Sequence, residues 1–222
     1  MKAAHAEAGV QPVSFVRHPL GDEDFARANH YALISRLFHA APDAALLQTL
    51  GASGDWPIDA DAPSAEAMLM ADAWNALCAA ASVVDAESIG MEFDGLFGGV
   101  GRPAVVPFAS FYLTGFMHEK PLVRLRDDLA ALGLQRARGE AQPEDHIAAL
   151  ADVMRLLLTD TTRSPGERAA AQDVFLGTHI EPWYGAFLDA LDAWPGANFY
   201  RRAGHYARCF LDIEVVARRI EP

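Results

Sequence analysis

A chain of 222 residues, 51% apolar and 22% charged, can bury a full core, which sets aside intrinsic disorder and any need for disulfides. Its formal net charge of −12 argues against nucleic-acid binding, which rests on Lys and Arg neutralising phosphates, and favours a basic partner through long-range attraction. The most apolar window, residues 73–84, is too short and too rich in Ala to span a bilayer, which takes roughly 20 residues, so no stable membrane insertion is expected.

Residues 1–20 read as a loose arm of Ala, Glu, Gly and Pro, with no continuous apolar stretch of the kind a secretory leader carries. Asp22 to Asp24 supply helix-start acids, and Phe25, Ala28, Tyr31, Ala32 and Phe38 repeat at helical spacing up to a stop near Pro42. A short helix over 44–50 precedes a loop over 51–63. Ser64, with Glu66 behind it, reads as an N-cap for a helix that turns Met68, Ala71, Trp74, Leu77, Cys78 and Ala81 inward. Residues 87–97 form a short apolar segment ending at Gly98-Gly99. The first half of 101–113 is extended or turned, because Pro103 and Pro107 disfavour helix in themselves and in the residue before.

A helix over 122–132 carries Val123, Leu125, Leu129 and Leu132, and Gly133 ends it. Residues 142–158 follow, QPEDHIAALADVMRLLL, in which Ile147, Leu150, Ala151, Met154, Leu157 and Leu158 keep the i, i+3, i+4, i+7 rule. The next helix starts near Glu167. Pro182, with no N–H and a ring that clashes with the carbonyl of Thr178, predicts a kink or break near His179-Ile180-Glu181. The last helix, 199–220, buries Phe199, Ala203, Tyr206, Phe210, Ile213 and Ala217. No run alternates at period two and no repeat of fixed length is visible. The expectation is one all-α domain, a bundle of about ten helices.

The polar tip Glu144-Asp145-His146 is either a helix-start signal, with acids at the positive end of the helix dipole, or a contact pair facing a groove. Metal binding has little support: among eight histidines none stands at i, i+4 from another and no His-Glu-x-x-His occurs. Ser110 is not in a Gly-x-Ser-x-Gly elbow. The two cysteines, Cys78 and Cys209, sit in apolar helical patterns, as expected of thiols in a reducing compartment. Gly98-Gly99-Val100-Gly101 lacks the Lys-Ser/Thr of a phosphate loop. Phe93, Phe97, Phe108, Phe111 and Tyr112 are either core or the lining of an apolar groove for a peptide.

Five segments in order carry a family likeness: Leu96-Phe97-Gly98-Gly99, then Pro107-Phe108-Ala109-Ser110-Phe111-Tyr112-Leu113, then Pro143-Glu144-Asp145-His146-Ile147, then His179-Ile180-Glu181-Pro182-Trp183, and Phe199-Tyr200. In them the chain resembles the TorD/DmsD family of redox-enzyme maturation chaperones, with NarJ-type chaperones further off. One position departs: the family often has Glu where Gln142 stands. The resemblance implies an all-α fold with no catalysis and no cofactor of its own. It implies a cytoplasmic protein that binds the twin-arginine leader, and often the body, of a molybdenum-cofactor enzyme precursor until the cofactor is inserted. The peptide-binding residues it points to are Glu144, Asp145, His146, Phe97, Pro107, Phe108, Ser110 and Tyr112. The client and the choice between monomer and homodimer stay open. So do two other readings: a NarJ-like factor for a subunit that is not exported, and a nucleotide- or metal-dependent enzyme.

Overall fold

The computed structural model describes residues 21–58, 64–98, 103–117, 119–136 and 142–220. They hold α1 (Asp22–His39), α2 (Ala44–Gly51), α3 (Ala65–Ala81), α4 (Ala86–Phe97), α5 (Ala109–Thr114), α6 (Lys120–Ala131), α7 (Ile147–Thr159), α8 (Pro165–Phe175), α9 (Tyr184–Asp192) and α10 (Phe199–Ile220), with a π-helical turn, Leu176–Ile180, after α8. Extended pairing among the described residues amounts to one isolated bridge, so the fold is all-α, as expected. The arm expected over 1–20 lies outside the described residues, as do Gly99, Val100 and Gly101 of the glycine-rich stretch.

Short side chains start the helices where composition suggests. Asp43 accepts the N–H of Leu46 at 2.8 Å, Ser64 that of Ala67 at 3.1 Å, and Asp85 that of Ser88 at 2.7 Å. Ser164 and Glu167 cap each other's backbone reciprocally ahead of α8. Gly133, at φ 77°, follows α6 in the left-handed conformation that glycine adopts without strain.

α1 and α7 lie side by side at the centre, and α10 packs across α3, α9 and α1. Tyr31, Ile34 and Phe38 of α1 meet the α7 stripe of Leu150, Met154 and Leu158 in one buried core. At Gly204 a Cβ would come within 2.8 Å of the Leu191 Cδ2 methyl, so a larger residue there would have to displace that buried side chain between α9 and α10. Two inward assignments differ. Met68 is exposed, and the inner face of α3 runs instead through Met70, Ala73, Leu77 and Ala81; so many alanines leave the helix without a clear apolar side. Ala217 is exposed, and the inner face of α10 runs instead through Ala207, Phe210, Leu211 and Val215. No single helix among the described residues is long and apolar enough to cross a membrane; α3 and α4 pass together by length and composition but are bent by 118°.

Pro182 is accommodated by widening the helix before it. The Glu181 N–H reaches back five residues to the Leu176 carbonyl at 2.9 Å, and the Trp183 indole donates to the His179 carbonyl at 2.7 Å.

The start of α10 depends on a single distant carboxylate. Glu92 accepts the N–H groups of Asn198 and Tyr200, both at 2.8 Å, and that of Phe199 at 3.1 Å. Charge-assisted bonds of this kind contribute about 1.5–3 kcal/mol. Glu92→Ala is expected to lower stability by about 2 kcal/mol, or roughly 4–8 °C in melting temperature, with Gln recovering less than half. Denaturant titration of the three proteins checks it; an unchanged midpoint for the alanine variant would contradict the capping role.

Candidate functional site

The extended stretch before α5 and the tip of α7 meet in the bridge. Phe108 pairs with His146, the Ala109 N–H donates to the Asp145 carbonyl at 3.0 Å, and the Ile147 N–H donates to the Pro107 carbonyl at 2.9 Å. Pro107 has no N–H to donate, which helps keep the pairing this short. The junction seats Asp145, whose Oδ2 accepts the N–H of Ser110 at 3.0 Å. Asp145 is thus not a cap for its own helix. It holds the first turn of α5, a helix distant in sequence, and it is only 1% exposed. Its second oxygen, Oδ1, is buried without a hydrogen-bond partner. A buried carboxylate oxygen with nothing to accept is costly, and native proteins keep few of them.

His146 is the N-cap of α7, not a solvated first-turn residue. Its Nδ1 accepts the N–H of Ala148 at 3.1 Å, which requires a neutral ring, and its edge meets Phe108 at 5.0 Å. Burial, helped by repulsion from His39, lowers its pKa to about 3. Burial likewise lowers that of His30, on α1, to about 4. In the unfolded chain both rings take up a proton near pH ~6.5; in the folded chain they do so only far below. The unfolded state therefore binds more protons between those values, and stability falls as pH drops from 6.5 toward 4. Asn keeps the capping acceptor and removes the titration. His146→Asn is expected to flatten the dependence by about 2–3 kcal/mol between pH 6.5 and 4.5. Melts at the two pH values check it, and an equally steep fall in the variant would contradict the assignment.

Beside Asp145 opens a pocket of about 500 Å³. Ala109, Leu113 and Thr114 of α5, Lys120, Pro121, Arg124 and Leu125 of α6, Leu150 of α7, and Thr178, His179 and Pro182 around the π-helical turn complete its walls. His179 Nε2 lies 2.8 Å from Asp128 Oδ2. Burial lowers the pKa of His179 against the opposing pull of Asp128. Leu113 at the end of α5, and Phe116 and Met117 past the left-handed Gly115, are exposed. Among the described residues no three of His, Cys, Asp and Glu come together in a way that could hold a metal ion.

Of the residues singled out from the sequence, Pro107, Phe108, Ser110, Asp145 and His146 meet at this junction. Glu144 turns away to Arg126, which donates to it from Nε at 3.1 Å and Nη2 at 2.9 Å. Burial works against the charge on Glu144, but the Arg126 hydrogen bonds and nearby Arg136 outweigh it, and the pKa is lowered. The three rings expected to share one groove do not. Phe97 packs with Phe93 and Tyr200 at 5.1 and 5.3 Å, Tyr112 stacks on Trp183 at 5.7 Å, and Phe108 covers His146. None of the three lines the pocket. Sequence reasoning missed Lys120, Arg124, Asp128 and Thr178, which belong to no motif; the break predicted at Pro182 was the signal closest to them.

The family model described as nitrate reductase delta subunit matches residues 65–189, a span that contains every wall of this pocket. Chaperone protein TorD of Vibrio cholerae serotype O1 is 27% identical over 128 residues, 54% of this chain and 57% of that protein. Its counterpart in another strain of the serotype is 26% identical over 126 residues with the same coverage. The alignments thus span little more than half the length of these curated relatives. A solved structure described as a redox enzyme maturation protein from Archaeoglobus fulgidus superposes with a TM-score of 0.53 at 17% identity, covering 92% of this chain and 99% of that one. That likeness shows a shared fold.

Proposed function

The chain belongs to the nitrate reductase delta subunit family, and on that premise we propose that it is a cytoplasmic chaperone for the precursor of a molybdenum-cofactor oxidoreductase, binding the precursor's twin-arginine leader until the cofactor is in place. The observation that carries the reading is the unpartnered Oδ1 of Asp145 beside an apolar-walled pocket. A guanidinium presents N–H donors in a planar fork that a carboxylate oxygen accepts with the strength of a charge-assisted bond. Lys120 and Arg124 also line the pocket, and their like charge keeps the second arginine of the pair outside. The apolar part of the leader has Leu113, Phe116 and Met117 to cover. The net charge of −12 draws in its basic end.

In this reading Ser110, Pro107, Phe108 and His146 position Asp145, and Glu144 with Arg126 closes the outer edge of the tip. The protein performs no bond chemistry of its own; binding and release are its whole work.

The test is calorimetric titration with a twin-arginine leader peptide and with a control in which both arginines are alanine. Micromolar or tighter binding of the leader, lost in the control, is expected. The family model's own description, a reductase delta subunit, favours a second reading, an assembly factor for a subunit that is not exported. Failure to bind any leader, combined with binding to a mature enzyme subunit, would replace the first reading with the second.

A further inference from the structure

A cavity of about 270 Å³ opens on another part of the surface, between α1, α3, α7, α8 and α10, and shares no residue with the Asp145 pocket. Met70, Met154, Leu176 and Phe210 give it apolar walls. The Gln172 side chain also lines it. Gln172 is 6% exposed, and its amide has no hydrogen-bond partner among the described residues. An amide can donate twice and accept twice, so facing the cavity it has hydrogen bonds to offer a ligand. His30 lines the same cavity; Tyr206 Oη sits 2.6 Å from its Nδ1, which leaves Nε2 as its remaining polar atom.

The buried charges of the lining are matched within the protein; Glu23, exposed, has no ion pair among the described residues, and the Arg218 guanidinium, paired with Asp173 and Glu181, keeps one buried nitrogen, Nε, without a partner. Glu214 is held by Arg27 at 2.8 Å, and Asp173 by Arg218 at 3.1 Å. A charged ligand would find no free counter-charge in the interior and would lose its hydration. An uncharged one with a single amide edge would match Gln172 and bury its body against the methionines and Phe210. The volume is near the lower end of the range for small-molecule sites, about 300 Å³.

We propose that this cavity is a second binding site, for an uncharged, largely apolar group carrying one amide edge that pairs with the Gln172 side chain. Such a group belongs either to a free small molecule or to a residue of a partner's peptide chain, and the probes separate the two. Methyl-13C methionine labelling of the full chain places reporters at Met70 and Met154, with Met68, Met91 and Met117 as exposed controls. Benzamide, toluene, benzoate and N-acetyl-leucinamide are the probes.

Saturable shifts at Met70 and Met154 alone are expected with benzamide, and none with benzoate. Gln172→Leu is expected to weaken benzamide about tenfold, the worth of one neutral hydrogen bond, and to leave toluene no weaker. N-acetyl-leucinamide binding at least as tightly as benzamide assigns the site to a peptide chain; benzamide binding alone assigns it to a small molecule. The proposal is overturned if benzamide gives no saturable shift at the two methionines, if benzoate binds as well, or if Gln172→Leu leaves benzamide unaffected.

Discussion

Glu214→Ala is expected to cost about 3–5 kcal/mol, the range for removing one partner of a buried ion pair, and to lower the melting temperature by roughly 6–20 °C for a chain of this size. The carboxylate is buried on α10 and serves two residues of α1. Arg27 donates to it from Nε at 2.8 Å and from Nη2 at 2.9 Å, and the Tyr31 hydroxyl donates at 2.9 Å. Alanine leaves the phenol, which is fully buried, without an acceptor. It leaves Arg27 with only Asp24, at 3.4 Å, and an uncompensated cation in a mostly buried place is the larger part of the loss. Gln, which keeps an acceptor for the tyrosine, is expected to recover about half. Chemical denaturation of the three proteins checks the order wild type, Gln, Ala; an alanine variant within about 1 kcal/mol of wild type would show that the α1–α10 contact does not depend on this ion pair.

The second large effect concerns binding. Asp145→Asn is expected to weaken the twin-arginine leader by about 10- to 100-fold, the loss of one charge-assisted hydrogen bond of roughly 1.5–3 kcal/mol. It is also expected to leave the melting temperature equal or higher. The amide retains an oxygen for the Ser110 N–H, and the buried charge is replaced by a neutral NH2, which costs less to leave unpartnered than a charge. Alanine separates the two roles: it removes the cap of α5 as well, at about 1 kcal/mol, so it loses both affinity and stability. Stability that rises while affinity falls marks a residue kept for function at a cost to the fold. A fall in both for Asn would assign Asp145 to structure alone.

The helices were largely legible because their signals are local. The α7 stripe of Ile147, Leu150, Met154 and Leu158 keeps helical spacing, and the caps Ser64 and Gly133 act within a few residues of themselves. Met68 was misplaced because ten of the 17 residues of α3 are alanine or methionine, so its inner face is chosen by the neighbours it packs against. The site was legible as a stretch but not as a mechanism. Asp145 and His146 stand out at a helix tip, yet the partner of Asp145 is an N–H 35 residues away, and no periodicity carries that pairing. Phe97, Phe108 and Tyr112 lie near one another in sequence, but α4, the bridge and α5 carry them into three separate packings. Pro182 marked a break; its form, a π-helical turn that brings His179 to Asp128, depends on α6.

In the proposed function Asp145 receives an arginine of the leader. The most direct measurement is calorimetric titration of the wild-type protein and of Asp145→Asn with the same leader peptide, alongside their melting curves. Micromolar or tighter binding is expected for the wild type, at least tenfold weaker binding for the variant, and a melting temperature that does not fall. Equal affinity of the two proteins for the leader would contradict it.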